Sequence, residues 1–123
     1  MGMSFPERPS PLGRHLAMRI EPLEVYTDDS NYAIIKPPGR KYPGCVIQGD
    51  SLRIICGLAI SVAQRVGDLE PEDKELLGEL EELVHSLVGR LLHYQTVLQQ
   101  HNIKLPYSQP VSEQDKVRLL SQK

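Results

Sequence analysis

Residues 49–102 read GDSLRIICGLAISVAQRVGDLEPEDKELLGELEELVHSLVGRLLHYQTVLQQHN, and the fold turns on how this stretch divides. At 100° per residue, Leu52, Ile55, Cys56, Leu58, Ala59, Val62, Ala63 and Val66 fall on one broad face, which predicts a helix from Asp50 to about Val66. Asp50 has the side chain of a helix N-cap, since its carboxylate accepts from the free amides of a first turn. Gly67 is the matching stop. Gly57, Ala59, Ser61 and Ala63 are small enough to admit a close neighbour, so this helix is expected to be largely buried between strands and the next helix. Asp68-Leu69-Glu70-Pro71 then restarts the helical pattern, with Pro71 suited to a first turn. Leu76, Leu77, Leu80, Leu83, Val84, Leu87, Val88, Leu91, Tyr94 and Leu98 form a stripe about 140° wide that runs to about Asn102. The short connection predicts an antiparallel pair. Thirty-odd residues make a helix of roughly 45 Å, against a diameter near 35 Å for a compact chain of this length. The long helix must therefore bend at Gly78 or Gly89, project, or be covered, and a stripe that stays apolar to Leu98 favours a covering partner chain.

Upstream, Leu23 and Val25 alternate with Glu24, Tyr26 and Thr27 in the manner of a short strand, followed by the turn cluster Asp28-Asp29-Ser30-Asn31. Tyr32 to Lys36 is a second strand pattern, stopped by Pro37-Pro38, which has no amides to donate. Gly39 to Gly44 is a loop, and Cys45 to Gln48 a third strand. The fold class is therefore α+β: a small three-stranded antiparallel meander followed by an antiparallel helix pair, the second helix long and amphipathic. Residues 1–19, with three prolines and no sustained period, read as a flexible basic arm, and residues 20–105 as a single α+β domain. Residues 106–123 read as a C-terminal tail in which Ser112-Glu113-Gln114-Asp115 has capping character and Val117, Leu119 and Leu120 can dock as a short helix.

Composition removes several functions. A net charge of −2 gives no global pull towards nucleic acid or an anionic membrane. No run of about 18 apolar residues exists to span a bilayer, and Met1 to Arg14 lack the apolar core of a secretion signal. Cys45 and Cys56 have no framework spacing, so both are expected to be reduced, Cys56 as a small core residue, in a cytoplasmic protein. With one Phe, five Tyr and no Trp, the core must be built mainly from Leu, Ile and Val.

Catalytic readings fare poorly. None of His15, His85, His93 and His101 are four apart, so no helical pair can share a metal, and His85 and His93 are expected at the surface. Gly49-Asp50-Ser51 superficially resembles a strand–elbow–helix, but a nucleophile elbow needs glycine two residues either side of the serine, and residue 53 is Arg. The expectation is no enzyme, no cofactor and no metal. Two surfaces suggest binding instead. The loop Pro38 to Gly44, stiffened by proline at both ends, presents Arg40, Lys41 and Tyr42 at low entropic cost. Between Asp68 and Glu82 stand eight carboxylates and one lysine. The helix dipole accounts for the earliest acids but fades within a turn. Glu72, Asp73, Glu75, Glu79 and Glu82 are the acids assigned to a basic partner. The alternative is self-association, a homodimer with Leu87, Leu91, Tyr94 and Leu98 as its seam.

The stretch Lys36-Pro37-Pro38-Gly39-Arg40-Lys41-Tyr42-Pro43-Gly44-Cys45-Val46-Ile47-Gln48-Gly49-Asp50-Ser51-Leu52 resembles the signature of a family of small, uncharacterised bacterial proteins. There, Pro-Gly-Arg, an aromatic, Pro-Gly and then Gln-Gly-Asp-Ser/Thr-Leu precede a helix. The resemblance covers about 17 residues. It implies a bacterial origin and no activity of its own. Small proteins of this kind resemble immunity partners in toxin loci, so the expected function is neutralisation of a cognate basic toxin domain by occluding its active site.

Overall fold

The computed structural model describes residues 18–28 and 33–120. Most of the N-terminal arm, the turn residues Asp29, Ser30 and Asn31, and residues 121–123 of the tail lie outside the described residues. The chain divides into two compact units, Met1–Gln48 and Gly49–Lys123, a division that falls inside the 20–105 span.

The first unit carries β1 (Glu24–Thr27), β2 (Ile34–Lys36) and β3 (Gly44–Cys45), antiparallel in the order β1-β2-β3. This is the expected meander. Val25 pairs with Ile35 and Ile34 with Cys45, and a bulge at Tyr26 shifts the register between Val25 and Thr27. The third strand is shorter than its pattern, although the Val46 amide still donates to the Ala33 carbonyl at 2.8 Å. Pro37 and Pro38 end β2 because neither can donate to a ladder. Gly39 takes φ +81° and the Arg40 amide closes on the Pro37 carbonyl at 3.2 Å. Proline followed by a positive-φ glycine at the centre of a closed turn is the type II arrangement. None of the described residues 18–48 is fully buried.

The second unit is built on α1 (Gly49–Asp68) and α2 (Lys74–Gln100). With these, the α+β class is as expected. Asp50 stands inside the first turn, its carboxylate accepting from the Ser51 amide at 2.8 Å. Gly67 does not stop α1. It stays helical, and Leu119 lies so close to it that a Cβ there would sit 2.9 Å from the leucine methyl. The chain reverses at Glu70, which takes the left-handed φ of +51° usually left to glycine. Pro71 falls before α2, whose N-cap is Asp73, accepting from the Leu76 amide at 3.0 Å. α2 runs unbroken through Gly78 and Gly89 for 27 residues, about 40 Å. It ends in a Schellman motif with Asn102 at φ +58°: the Ile103 amide reaches the Leu98 carbonyl and the Asn102 amide the Gln99 carbonyl.

The core is the seam of the antiparallel pair. Cys56 and Ala63 of α1 meet Val84, Val88 and Leu91 of α2, and all five are fully buried. Gly49 at the head of α1 lies against the Tyr94 ring near the foot of α2, where an added Cβ would collide with the hydroxyl-bearing edge of the ring. A third wall comes from residues 103–120, which run back along α2. Val111 is buried, Tyr107, Val117 and Leu119 pack against the core, and a one-turn 3-10 helix (Glu113–Asp115) is held by a capping box between Ser112 and Asp115. The tail is thus partly a structural strap, and the far end of α2 is covered from within the chain.

Among the described residues, no helix is long and apolar enough to cross a membrane. α1 is less buried than its small residues suggest: Ile54, Ile55, Leu58 and Val62 are exposed. The seam uses the arc around Cys56 and Ala63, and the broad apolar face is wider than one neighbour.

The close approach at Gly49 is testable. Gly49→Ala should cost about 1–3 kcal/mol, the usual range for overpacking. Denaturant unfolding checks this, and Tyr94→Ala in the same chain should recover part of the loss in a double-mutant cycle.

Candidate functional site

Chemistry-bearing side chains are the first candidates. Among the described residues no group of three His, Cys, Asp or Glu is placed to hold a metal ion. Ser51 belongs to the first turn of α1. The cysteines are both free thiols, Cys45 exposed on β3 and Cys56 buried in the helical core. Burial pushes the Cys56 thiol up, away from the reactive thiolate, and the Arg53 guanidinium only partly offsets this. Burial likewise raises the Tyr107 phenol, with Tyr94 adding to it. Arg53 uses its Nε to bond the Gln109 carbonyl at 2.9 Å and so ties α1 to the strap. Beside it a cavity of about 290 Å³ is lined by Arg53, Ile54, Gly57, Tyr107, Ser108 and Gln109. A larger one, about 530 Å³, opens at the foot of α2 between Gln99, Asn102, Lys104 and Pro110. Neither cavity gathers a nucleophile with a base.

The acids of α2 divide by role. Asp73, expected in the partner surface, is the helix cap. Glu81 is half-buried and its carboxylate accepts the amides of Leu119 and Leu120. His85, expected at the surface, is half-buried one turn further on, its Nε2 2.6 Å from the Val117 carbonyl oxygen. Gln95 completes the row: its amide donates to the Val111 carbonyl at 3.0 Å and its oxygen accepts from the Val111 amide and the Tyr107 hydroxyl. Glu81, His85 and Gln95 are therefore the polar fixings of the strap. Their spacing along one edge of the apolar stripe is the signal that points to them.

Glu72, Glu75, Glu79 and Glu82 have no such task. All four are exposed, and none has an ion-pair partner among the described residues. On α2, Glu75, Glu79 and Glu82 lie on successive turns of one flank. Like charges three and four apart on a helix oppose one another by about 0.2–0.5 kcal/mol per pair.

The basic loop lies in the sheet unit, the acidic flank in the helical unit. Arg40, Lys41 and Tyr42 are all exposed, and the Lys41 ammonium stands 5.5 Å from the centre of the Tyr42 ring, within cation–π range. The leucine stripe is placed otherwise than a seam requires. Leu91 is fully buried in the chain's own core, Leu87 and Tyr94 are half-buried against it, and Leu98 is half-buried. Its α1-facing side is consumed by the helix pair.

The division among the acids has a measurable consequence. Glu81→Ala strips the acceptor from two strap amides and should cost about 1–3 kcal/mol. Glu79→Ala should stay within about 0.5 kcal/mol of the parent, as surface changes do. Chemical denaturation of both variants distinguishes them.

No curated protein and no solved structure is similar enough to this chain to match it. One family model matches residues 18–107, taking in the sheet, both helices and Tyr107 and stopping before Val111. On that match the chain belongs to the family described as a family of unknown function (DUF6959).

Proposed function

We propose that this protein acts by binding another protein, and that the acidic flank of α2 recognises a basic partner. The observation that carries this reading is the separation of roles among the acids. Asp73 and Glu81 have partners inside the fold, whereas Glu75, Glu79 and Glu82 oppose one another on an exposed flank and form no ion pair among the described residues. A one-signed patch of this kind steers an oppositely charged protein and raises its association rate by about ten-fold to a thousand-fold at low salt. The loop Arg40-Lys41-Tyr42 is the second surface of the reading. It pairs an exposed aromatic with two cations on a turn that Pro37, Pro38 and Gly39 hold in shape.

The specific form of the proposal is an immunity-type inhibitor that covers the active site of a basic toxin domain in the cytoplasm. Binding of this sort needs no cofactor and no catalytic group of its own.

The experiment is capture of partners by the tagged full-length chain beside its Glu75→Lys, Glu79→Lys, Glu82→Lys variant. Stoichiometric recovery of a basic protein by the parent is expected, with association at low salt at least about ten-fold slower for the variant. Toxicity of that protein when expressed without this chain supports the immunity form. Equal capture and equal rates for parent and variant would remove the acidic flank from the recognition.

A further inference from the structure

Residues 108–120 are held by their main chain. Among the described residues, every hydrogen bond that joins them to α1 or α2 runs between a helix side chain and a backbone group of the strap. Arg53 donates to the Gln109 carbonyl and His85 to the Val117 carbonyl, while Glu81 accepts the Leu119 and Leu120 amides. Gln95 does both at one residue: its amide donates to the Val111 carbonyl at 3.0 Å and its oxygen accepts the Val111 amide at 2.9 Å. A carboxamide carries a donor and an acceptor side by side, so it can close this pair of bonds on any residue that keeps its backbone N–H. The polar side chains of the strap turn to one another instead. Ser112 and Asp115 form the capping box, and Lys116 pairs with Glu113 at 3.2 Å.

Side-chain identity enters at few places. Of residues 108–120 only Val111 is buried, at 4% exposure. Val117 and Leu119 are half-buried, Leu119 against the bare face of Gly67. Main-chain bonds that supply affinity, with pockets at spaced positions that supply specificity, are the means by which a groove takes an extended peptide. The four fixings all lie within the family match of residues 18–107, and every strap residue they hold lies beyond it.

We infer that this edge of the helix pair is a binding groove for an extended peptide segment of another protein, and that residues 108–120 are its tethered occupant, an autoinhibitory contact. The present occupant defines the class of segment: a branched aliphatic residue at the clamped position, a second aliphatic residue eight positions on, as Leu119 follows Val111, and no charge required at either. The strap has one 3-10 turn and one buried side chain to give up, the makings of a segment that opens locally while the helices stay paired. An incoming peptide meets only the fraction of chains whose strap is open, and its apparent affinity falls by that fraction. Glu75, Glu79 and Glu82 take no part in holding the strap, so this groove and the acidic flank can be tested apart.

The test uses the full-length chain and a fluorescent synthetic peptide of residues 108–120, SQPVSEQDKVRLL. Val111→Asp in the chain removes the anchor of the tethered segment and leaves the groove unchanged. By fluorescence anisotropy that variant should bind the peptide at least about ten-fold more tightly than the parent does, because the competing occupant is released. Adding Gln95→Ala should lose the binding again, and a peptide carrying Val111→Asp should not bind. A peptide carrying Glu113→Ala and Arg118→Ala, both exposed positions, should bind within about three-fold of the unchanged one. In the parent, native-state hydrogen exchange should show the Val111 and Leu119 amides at least about 100-fold less protected than those of Val88 and Leu91. If Val111→Asp costs the chain its helical circular dichroism, Val117→Ala with Leu119→Ala is the milder opened form for the same binding measurement. Strap amides that exchange only when the whole helical unit unfolds overturn the proposal. So does a helical, opened chain that takes up no peptide, or that takes it up equally well without Gln95.

Discussion

Small side chains on α1 meeting branched ones on α2 are the constraint from which the helical unit follows. Cys56 and Ala63 offer little volume, and Gly49 offers none, so the two helix backbones can approach closely while Val84, Val88 and Leu91 fill the space between them. Interiors pack at near-crystalline density and tolerate neither a void nor an extra methyl there. The contact between Gly49 and Tyr94 fixes the register at one end. At the other, the left-handed Glu70 and the Asp73 cap fix where α2 begins. Between those points the strap runs back along α2, and its backbone groups meet Gln95, then His85, then Glu81.

The charges on α2 are sorted by this arrangement. One edge of the helix faces the strap, and there carboxylate, imidazole and amide groups satisfy backbone groups that would otherwise be left without partners. The flank of Glu75, Glu79 and Glu82 faces water. The same residue type therefore serves as a structural acceptor at Glu81 and as surface charge one residue later at Glu82. Counting carboxylates along the sequence merges these two populations, which the geometry separates.

Much of the architecture is legible in the sequence because it rests on period and punctuation. The 3.6-residue repeat marks both helices, and Pro37-Pro38 marks the end of β2. Asp73 is visible as one of several acids near a helix start, but only the amide of Leu76 shows it to be the cap. The strap is harder to read. Val111, Val117 and Leu119 follow no regular period, and the groups that hold their backbone are side chains 16 to 38 residues earlier. The outer face of α1 is missed for a different reason: a helical wheel reports that an arc is apolar, without saying which part of it a neighbour will use.

The strap lies later in the chain than everything it fastens. During synthesis α1 and α2 emerge and can pair while the groove beside them is still wet, with Gln95, His85 and Glu81 hydrogen-bonded to solvent. When the residues around Val111 arrive, they displace that water in favour of bonds already aimed at them, and Val117 and Leu119 follow along the same line. Vectorial synthesis thus meets a two-stage closure: a helical hairpin that forms from neighbouring segments, then a lacing that proceeds from the foot of α2 towards its head.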